Sequence, residues 1–441
     1  MARVADHIDD SRAPAWLRRL PGVAWIAKWS KTLGPGLITG ASDDDPSGIG
    51  TYSQAGAQLG FGIGWTMLLT FPLMAAIQEI SARIGRTTGH GIAGNLCRHY
   101  PAWLLRLTVA LLFIANTINI GADLSAMGDA TRVLVGGWSL LYVGVYAIIC
   151  VGGIVFMSYD RYAMILKWAT LSLFTYVATL FAIKIPWSEA LAGLFLPRIS
   201  WNSEFFTTLV AIFGTTISPY LFFWQASQEV EEVHASEKRK PLRKAPRQAL
   251  DAFARIRADT IIGMGLSNVI AVAIIWTTAA TLNKAGNTSI ETSVQAAEAL
   301  RPIAGDFAFA LFTLGILGVG LLAIPILAGS AAYGIGEACK WPVGISRQPK
   351  EAAAFYSTLA VATLLGVAIT FSPINPIKAL YWTAVINGVV AVPVMTLMML
   401  MTANRRVMGT FTIDGGLRWL GWASTVAMAF CVVGMVVGWF A

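Results

Sequence analysis

The stretch Leu37-Ile38-Thr39-Gly40-Ala41-Ser42-Asp43-Asp44-Asp45-Pro46-Ser47-Gly48-Ile49-Gly50 puts three successive carboxylates, a proline and three glycines into a run that is otherwise apolar. Ionised side chains in hydrocarbon are costly, so they face a protein interior or a wet cavity and mark an ion or substrate path. The chemistry these residues suit is the binding of something cationic. Pro46 removes a backbone donor, and with Gly40, Gly48 and Gly50 it predicts an interrupted helix whose freed carbonyls can also bind. A second interrupted segment, Phe213-Gly214-Thr215-Thr216-Ile217-Ser218-Pro219-Tyr220, has its Ser-Pro 173 residues after Asp45-Pro46. Pro/Gly-interrupted spans at corresponding places in two halves of a chain point to a transporter's midplane site.

The elements that must hold these breaks are membrane spans. The chain has 441 residues, 56% of them hydrophobic and 13% charged, with a mean hydropathy of +0.63. That composition excludes an ordinary soluble domain. Eleven apolar runs, each able to hold the roughly 20-residue helix that crosses a bilayer, are expected at about 33–58, 61–84, 102–131, 137–158, 161–184, 204–229, 258–282, 306–331, 353–372, 376–402 and 417–440. Residues 1–31 form a polar, basic, Trp-rich segment without the apolar core and cleavage site of a signal peptide, and the mixture is suited to the membrane surface. If this terminus is cytoplasmic, 26 of the 32 Lys and Arg fall on internal segments, as the positive-inside rule demands, and the C-terminus lies on the opposite side. The net charge of +8 is then topological and implies no nucleic-acid partner. Lys238-Arg239-Lys240-Pro241-Leu242-Arg243-Lys244 reads as a solvated loop beside anionic lipid. Glu229, Glu231 and Glu232 offset it, and Glu79 and Asp129 read as interfacial charges. Cys97, Cys150, Cys339 and Cys431 lack the spacing of a disulfide framework or zinc site. No P-loop or nucleophile elbow suggests an enzyme.

Gly34-Pro35-Gly36, Asp45-Pro46, Gln54-Ala55-Gly56-Ala57-Gln58, Ala82-Arg83-Ile84-Gly85, Thr88-Gly89, Leu96-Cys97-Arg98 and Tyr100-Pro101 together resemble the Nramp family of divalent-metal transporters. Ala122-Asp123-Leu124 and Gly214-Thr215-Thr216-Ile217-Ser218-Pro219 carry the likeness further. The resemblance implies an all-α polytopic protein with a LeuT-type fold: two inverted five-helix repeats, with helices 1 and 6 broken, and an eleventh helix. Residues 32–184 would form the first repeat and 204–402 the second, with the basic loop 230–257 inside it and 417–441 as the last span. It also implies a divalent metal as substrate, no cofactor, no obligate protein partner, and, for this chain, a bacterial inner membrane as its home.

Departures from the family pattern refine the expectation. Asp-Pro-Gly-Asn becomes Asp45-Pro46-Ser47-Gly48, which keeps the carboxylate and loses the amide; Met-Pro-His becomes Ser218-Pro219-Tyr220. A hydroxyl is a hard ligand where a thioether is soft, so the expected cargo shifts toward Mg²⁺ or Mn²⁺. By analogy the ligands are the Asp45 carboxylate, the carbonyls of Ser42 and Thr215, and Ser218. Asp43 and Asp44 are extra acids, of which at least one should face an aqueous vestibule; Gly48, Tyr220, Asn387 of span ten and Asp123 of span three are further neighbours. The family's sixth-span His, its acid one turn beyond the third-span Asp and its ninth-span basic residues are replaced by Tyr220, by Ala126 and by the absence of Lys or Arg from 353–372. Tyrosine, with a reference pKa of about 10, is a poor proton carrier near neutrality, so coupling to protons is expected to be weak or absent. A rival reading keeps the scaffold and gives it an organic solute such as an amino acid, its ammonium group bound by the acids.

Overall fold

Pro46 and Pro219 each occupy the first position of a helix, where the missing N–H costs nothing and the fixed φ favours helical entry. Both breaks follow from this local chemistry. The computed structural model describes residues 39–40, 42–156, 174–236, 238–290, 293–301 and 305–440. The basic segment 1–31, the start of the first span and most of the expected fifth span lie outside the described residues.

In chain order the helices are α1 (Pro46–Leu59), α2 (Trp65–Thr88), α3 (Ile92–His99), α4 (Ala102–Val135), α5 (Ser139–Phe156), α6 (Phe174–Ala182), α7 (Trp187–Phe195), α8 (Ser203–Thr216), α9 (Pro219–His234), α10 (Ala249–Thr278), α11 (Ser293–Glu298), α12 (Ala308–Ala338), α13 (Ala353–Ile369), α14 (Pro376–Ala403), α15 (Arg405–Met408) and α16 (Gly415–Phe440). Eight of the expected spans appear as helices long and apolar enough to cross a bilayer, with α8 and α9 as the two halves of one interrupted crossing and α10 extended by a π turn over Ala279–Asn283. The expected span 353–372 is the shorter apolar helix α13. α1 and α6 belong to the two spans that are described only in part.

α4 lies at the centre of the bundle, packed against α5, α12, α13 and α14, and α1 packs on α10, α14 and α8. Small residues set the closest approaches, as they do where helices associate without a hydrophobic driving force. A Cβ on Gly214 of α8 would come 2.0 Å from the Ala384 carbonyl oxygen of α14, and one on Gly388 would come 2.7 Å from the Val210 carbonyl oxygen. The two backbones therefore touch beside the α8–α9 break, and any larger side chain would prise them apart.

Candidate metal-binding site

The first break is built by Asp45. Its backbone is extended (φ −64°, ψ 171°), and its Oδ1 accepts from the Gly48 amide at 2.8 Å and from the Ser47 hydroxyl at 2.5 Å. This is an N-cap, satisfying a donor that α1 cannot pair internally. One carboxylate oxygen is thus committed to structure. The other, Oδ2, turns to the second break: the Tyr220 hydroxyl stands 3.2 Å from it and 3.0 Å from the carbonyl oxygen of Ser42, to which it also donates. Asn119 of α4 donates from Nδ2 to the same Oδ2 at 3.2 Å. Two of the expected ligands, Asp45 and the Ser42 carbonyl, therefore converge on one buried point.

The two breaks are also in contact through Gly48, whose added Cβ would lie 3.3 Å from Thr215 Oγ1. Gly48 contributes an amide and the absence of a side chain. On the sixth-span side, Ser218 departs from expectation. Its Oγ donates back to the carbonyls of Gly214 (2.7 Å) and Thr215 (2.9 Å), so it closes the C-terminal end of α8. Those carbonyls are orphaned where the helix stops, and the nearest hydroxyl takes them. The Ser218 hydroxyl and the Thr215 carbonyl, both expected as ligands, are bonded to each other.

Asp43 and Asp44 also differ from expectation, since neither faces an aqueous vestibule: Asp43, Asp44 and Asp45 are 0, 2 and 1% exposed. Ser267 of α10 explains how the first two are accommodated, donating at 2.6 Å to Asp43 Oδ2 and lying 3.1 Å from Asp44 Oδ1. Asp123, one helical turn beyond Asn119 on α4, is fully buried, and among the described residues neither of its oxygens has a hydrogen-bond partner. Asn387 of α14, next to the Gly388 contact, is likewise buried, with neither amide atom partnered among the described residues. Among the described residues none of these four carboxylates is in an ion pair with Lys, Arg or His.

Sequence reasoning missed Asn119 and Ser267. For Asn119 a signal was available: Asn116, Asn119 and Asp123 recur at positions i, i+3 and i+7 of an apolar span, one face of a helix. Asn116 confirms the face's direction by donating to the Leu327 carbonyl and the Ser330 hydroxyl of α12. Ser267 stands alone in an apolar run and gave no such signal.

Gln58, Glu204, Thr207, Tyr381 and Trp439 line a cavity of about 320 Å³. Ile49, Phe312, Ile316 and Leu380 surround a smaller apolar gap that shares Ile290 and Ile377 with it and has no space for a water molecule. Gln58 donates to Glu204 and accepts from Thr208 at 3.1 Å, tying α1 to α8. Toward the basic end, the Thr39 hydroxyl donates to Gln225 Oε1 at 2.5 Å, joining the first span to α9.

Comparison with known proteins agrees with this architecture. A solved manganese transporter from Eremococcus coleocola, bound to an aromatic bis-isothiourea compound, superposes with a TM-score of 0.72 at 14% identity, covering 94% of this chain and 89% of that one. MhsT in complex with L-phenylalanine superposes with a TM-score of 0.60 at 12% identity, over 91% and 98% of the two chains. The fold is therefore the LeuT-type transporter fold. Among curated proteins, the divalent metal cation transporter MntH of Acidiphilium cryptum is 24% identical over 409 residues, 89% of this chain and 88% of its own. The metal transporter Nramp6 of Oryza sativa is 26% identical over 318 residues, 69% of this chain and 55% of its own. The sequence pattern described as natural resistance-associated macrophage protein-like matches residues 36–438, so the chain is a multi-pass membrane protein of the Nramp family, a family of transporters and not enzymes.

Proposed function

We propose that this protein carries a small hard divalent cation, Mn²⁺ or Mg²⁺, across the membrane by alternating access around Asp45, with weak or no coupling to protons. Its support is the convergence of Asp45 Oδ2 and the Ser42 carbonyl on the Tyr220 hydroxyl, at 3.2 and 3.0 Å, within a buried group of carboxylates that has no cationic partner among the described residues. The Tyr220 oxygen, within hydrogen-bonding distance of both, adds a third oxygen donor to this group. All these donors are oxygens, which favours hard cations over thiophilic ones. The curated relatives named above as divalent metal transporters, and the manganese transporter of similar fold, favour the same class.

Weak proton coupling is supported by the chemistry at the positions where the family pattern has titratable groups, Tyr220 and Ala126, and by the absence of Lys and Arg from 353–372. The distribution of Lys and Arg supports a cytoplasmic N-terminus, and the similarity to MntH proteins of bacteria supports a bacterial inner membrane.

In liposomes the protein should pass Mn²⁺ or Mg²⁺ without acidifying the lumen, and Asp45→Ala should abolish the flux. Metal-driven proton entry would refute the uncoupled part of the reading. Calorimetry with Mn²⁺, Mg²⁺ and a panel of amino acids tests the cargo; heat from organic solutes alone would replace the metal by such a solute.

A further inference from the structure

The first span has lost the amide that the family pattern sets three residues after its aspartate, and Gly48 stands there instead. An amide nevertheless reaches the same carboxylate from another helix. Asn119 on α4 is fully buried, its Nδ2 is 3.2 Å from Asp45 Oδ2, and its Oδ1 has no hydrogen-bond partner among the described residues. An orphaned amide oxygen in a dry interior is a costly arrangement to keep unless something engages it. Asn119 and the Tyr220 hydroxyl each lie 3.2 Å from the same oxygen, Asp45 Oδ2, so the amide is a fourth polar group beside Asp45, Ser42 and Tyr220.

We propose that Asn119 is a direct ligand of the transported cation, a hard amide oxygen supplied from span three in place of the one missing from span one. This rests on the divalent-cation reading above. The terminal torsion of an asparagine is broad and nearly two-fold, so a half-turn of the amide exchanges Nδ2 for Oδ1 at the position facing Asp45 with little cost in the torsion itself. Without a cation the N–H end serves Asp45 as a hydrogen-bond donor; with one, the oxygen end joins Asp45 on it. Asp123, one turn along the same face, lies near enough in sequence to add long-range attraction while leaving the amide as the contact group. Because the donor is neutral and hard, it binds Mg²⁺ and Mn²⁺ and adds nothing for a thiophilic ion. Asn119 thereby sets the ranking of ions as well as the affinity.

The test is Mn²⁺ uptake into liposomes, with Mg²⁺ and Cd²⁺ as competitors, for the wild type and three variants that elute as single species. Asn119→Ala should raise the Mn²⁺ concentration for half-maximal uptake by about tenfold, the loss of one charge-assisted contact. Asn119→Asp keeps an oxygen in the same place and should retain uptake at wild-type Mn²⁺ concentrations. Asn119→Cys should reverse the order of competition so that Cd²⁺ outcompetes Mg²⁺ by a wider margin than in the wild type. The inference is overturned if the Ala variant keeps the wild-type concentration dependence. It is equally overturned if Ala, Asp and Cys variants all weaken uptake alike with the ion order unchanged, since that is what a residue merely holding Asp45 in place would do. A wild-type protein that takes up no divalent cation would instead refute the cation reading itself, and the inference with it.

Discussion

Two regions of this molecule enclose acidic side chains and partner them differently. At the end that carries the basic loop, each buried or half-buried glutamate has a committed partner. Glu229, 0% exposed, meets Arg255 at 2.6 Å; Glu79 meets Arg83 at 2.5 Å; and Glu232 meets Arg239 and, at 3.4 Å, Arg255. Glu337 accepts from the Gly91 and Gly94 amides at 2.8 Å each, and Glu231 accepts from Tyr333 at 2.9 Å. In the middle of the bundle Asp43, Asp44 and Asp45 meet hydroxyls, an amide side chain and a backbone N–H, and Asp123 has no hydrogen-bond partner among the described residues. A buried charge is tolerated when it is paired. Among the described residues, arginines supply the counter-charge for Glu79, Glu229 and Glu232, while the central aspartates meet only neutral groups, which is the pattern the proposed mobile cation would require.

The comparison breaks most visibly if the paired end can be altered without touching cargo. Glu229→Gln removes one member of a pair and leaves Arg255 with Glu232 at the longer distance. Leaving a half-buried guanidinium under-compensated should cost on the order of 1–3 kcal/mol, less than for an isolated pair because a second carboxylate remains. The expected outcome is a lower temperature of aggregation in detergent, with an unchanged order of Mn²⁺, Mg²⁺ and Cd²⁺ in uptake by the protein that survives. A changed ion order would mean that the glutamates at this end belong to the cargo's path and that the two regions are one.

How much of this was readable in the residues follows the range of the interactions involved. Both helix breaks were legible because Pro at the first helical turn and glycine nearby act on their own backbone, and Asp45 caps a helix that starts at its very next residue. The pairing of Glu229 and Glu232 with the basic segment was legible from charge balance alone. The orientation of Ser218 was not, since a hydroxyl at a helix end chooses between a ligand and the orphan carbonyls three and four residues behind it, and composition does not decide the choice. Burial of Asp43 and Asp44 was missed because their partner, Ser267, lies more than two hundred residues along the chain. Asn119 falls between these cases: its stripe with Asn116 and Asp123 is in the sequence, but only the packing of α4 on α1 shows what the stripe faces.

Tyr220→Phe sharpens the comparison from the other side, by removing the hydroxyl that reaches both Asp45 and Ser42 from the second break. The ring is fully buried and fills the same volume without its oxygen, so the fold should survive. Loss of one contact to Asp45 and Ser42 should raise the Mn²⁺ concentration for half-maximal uptake about fivefold, or ~1 kcal/mol. An unchanged or lowered concentration would show that the hydroxyl competes with the cation and is no ligand of it.

The smallest expected effect lies at the basic end, in the link between α2 and α3, where the balance of charge fails locally. Burial lowers the pKa of His90 from its usual 6.5 to about 4, and Arg98, His234, His99 and Lys244 add repulsion in the same direction. The folded protein therefore holds this imidazole neutral while the unfolded chain protonates it near its ordinary pKa. Its contribution to stability is complete above about pH 6.5 and is lost as the pH falls toward 4, because only the unfolded state gains the proton across that window. His90 is half-buried and shares its cavity of about 540 Å³ with Arg98, His234 and Lys340, so solvent tempers the effect. His90→Gln, which cannot take up a proton, should flatten the decline of aggregation temperature between pH 6.5 and 4 while leaving the Mn²⁺ dependence of uptake at pH 7 as it was. A decline equally steep in the variant would assign the acid sensitivity to the paired glutamates, whose partners would then be the weaker part of this end's charge balance.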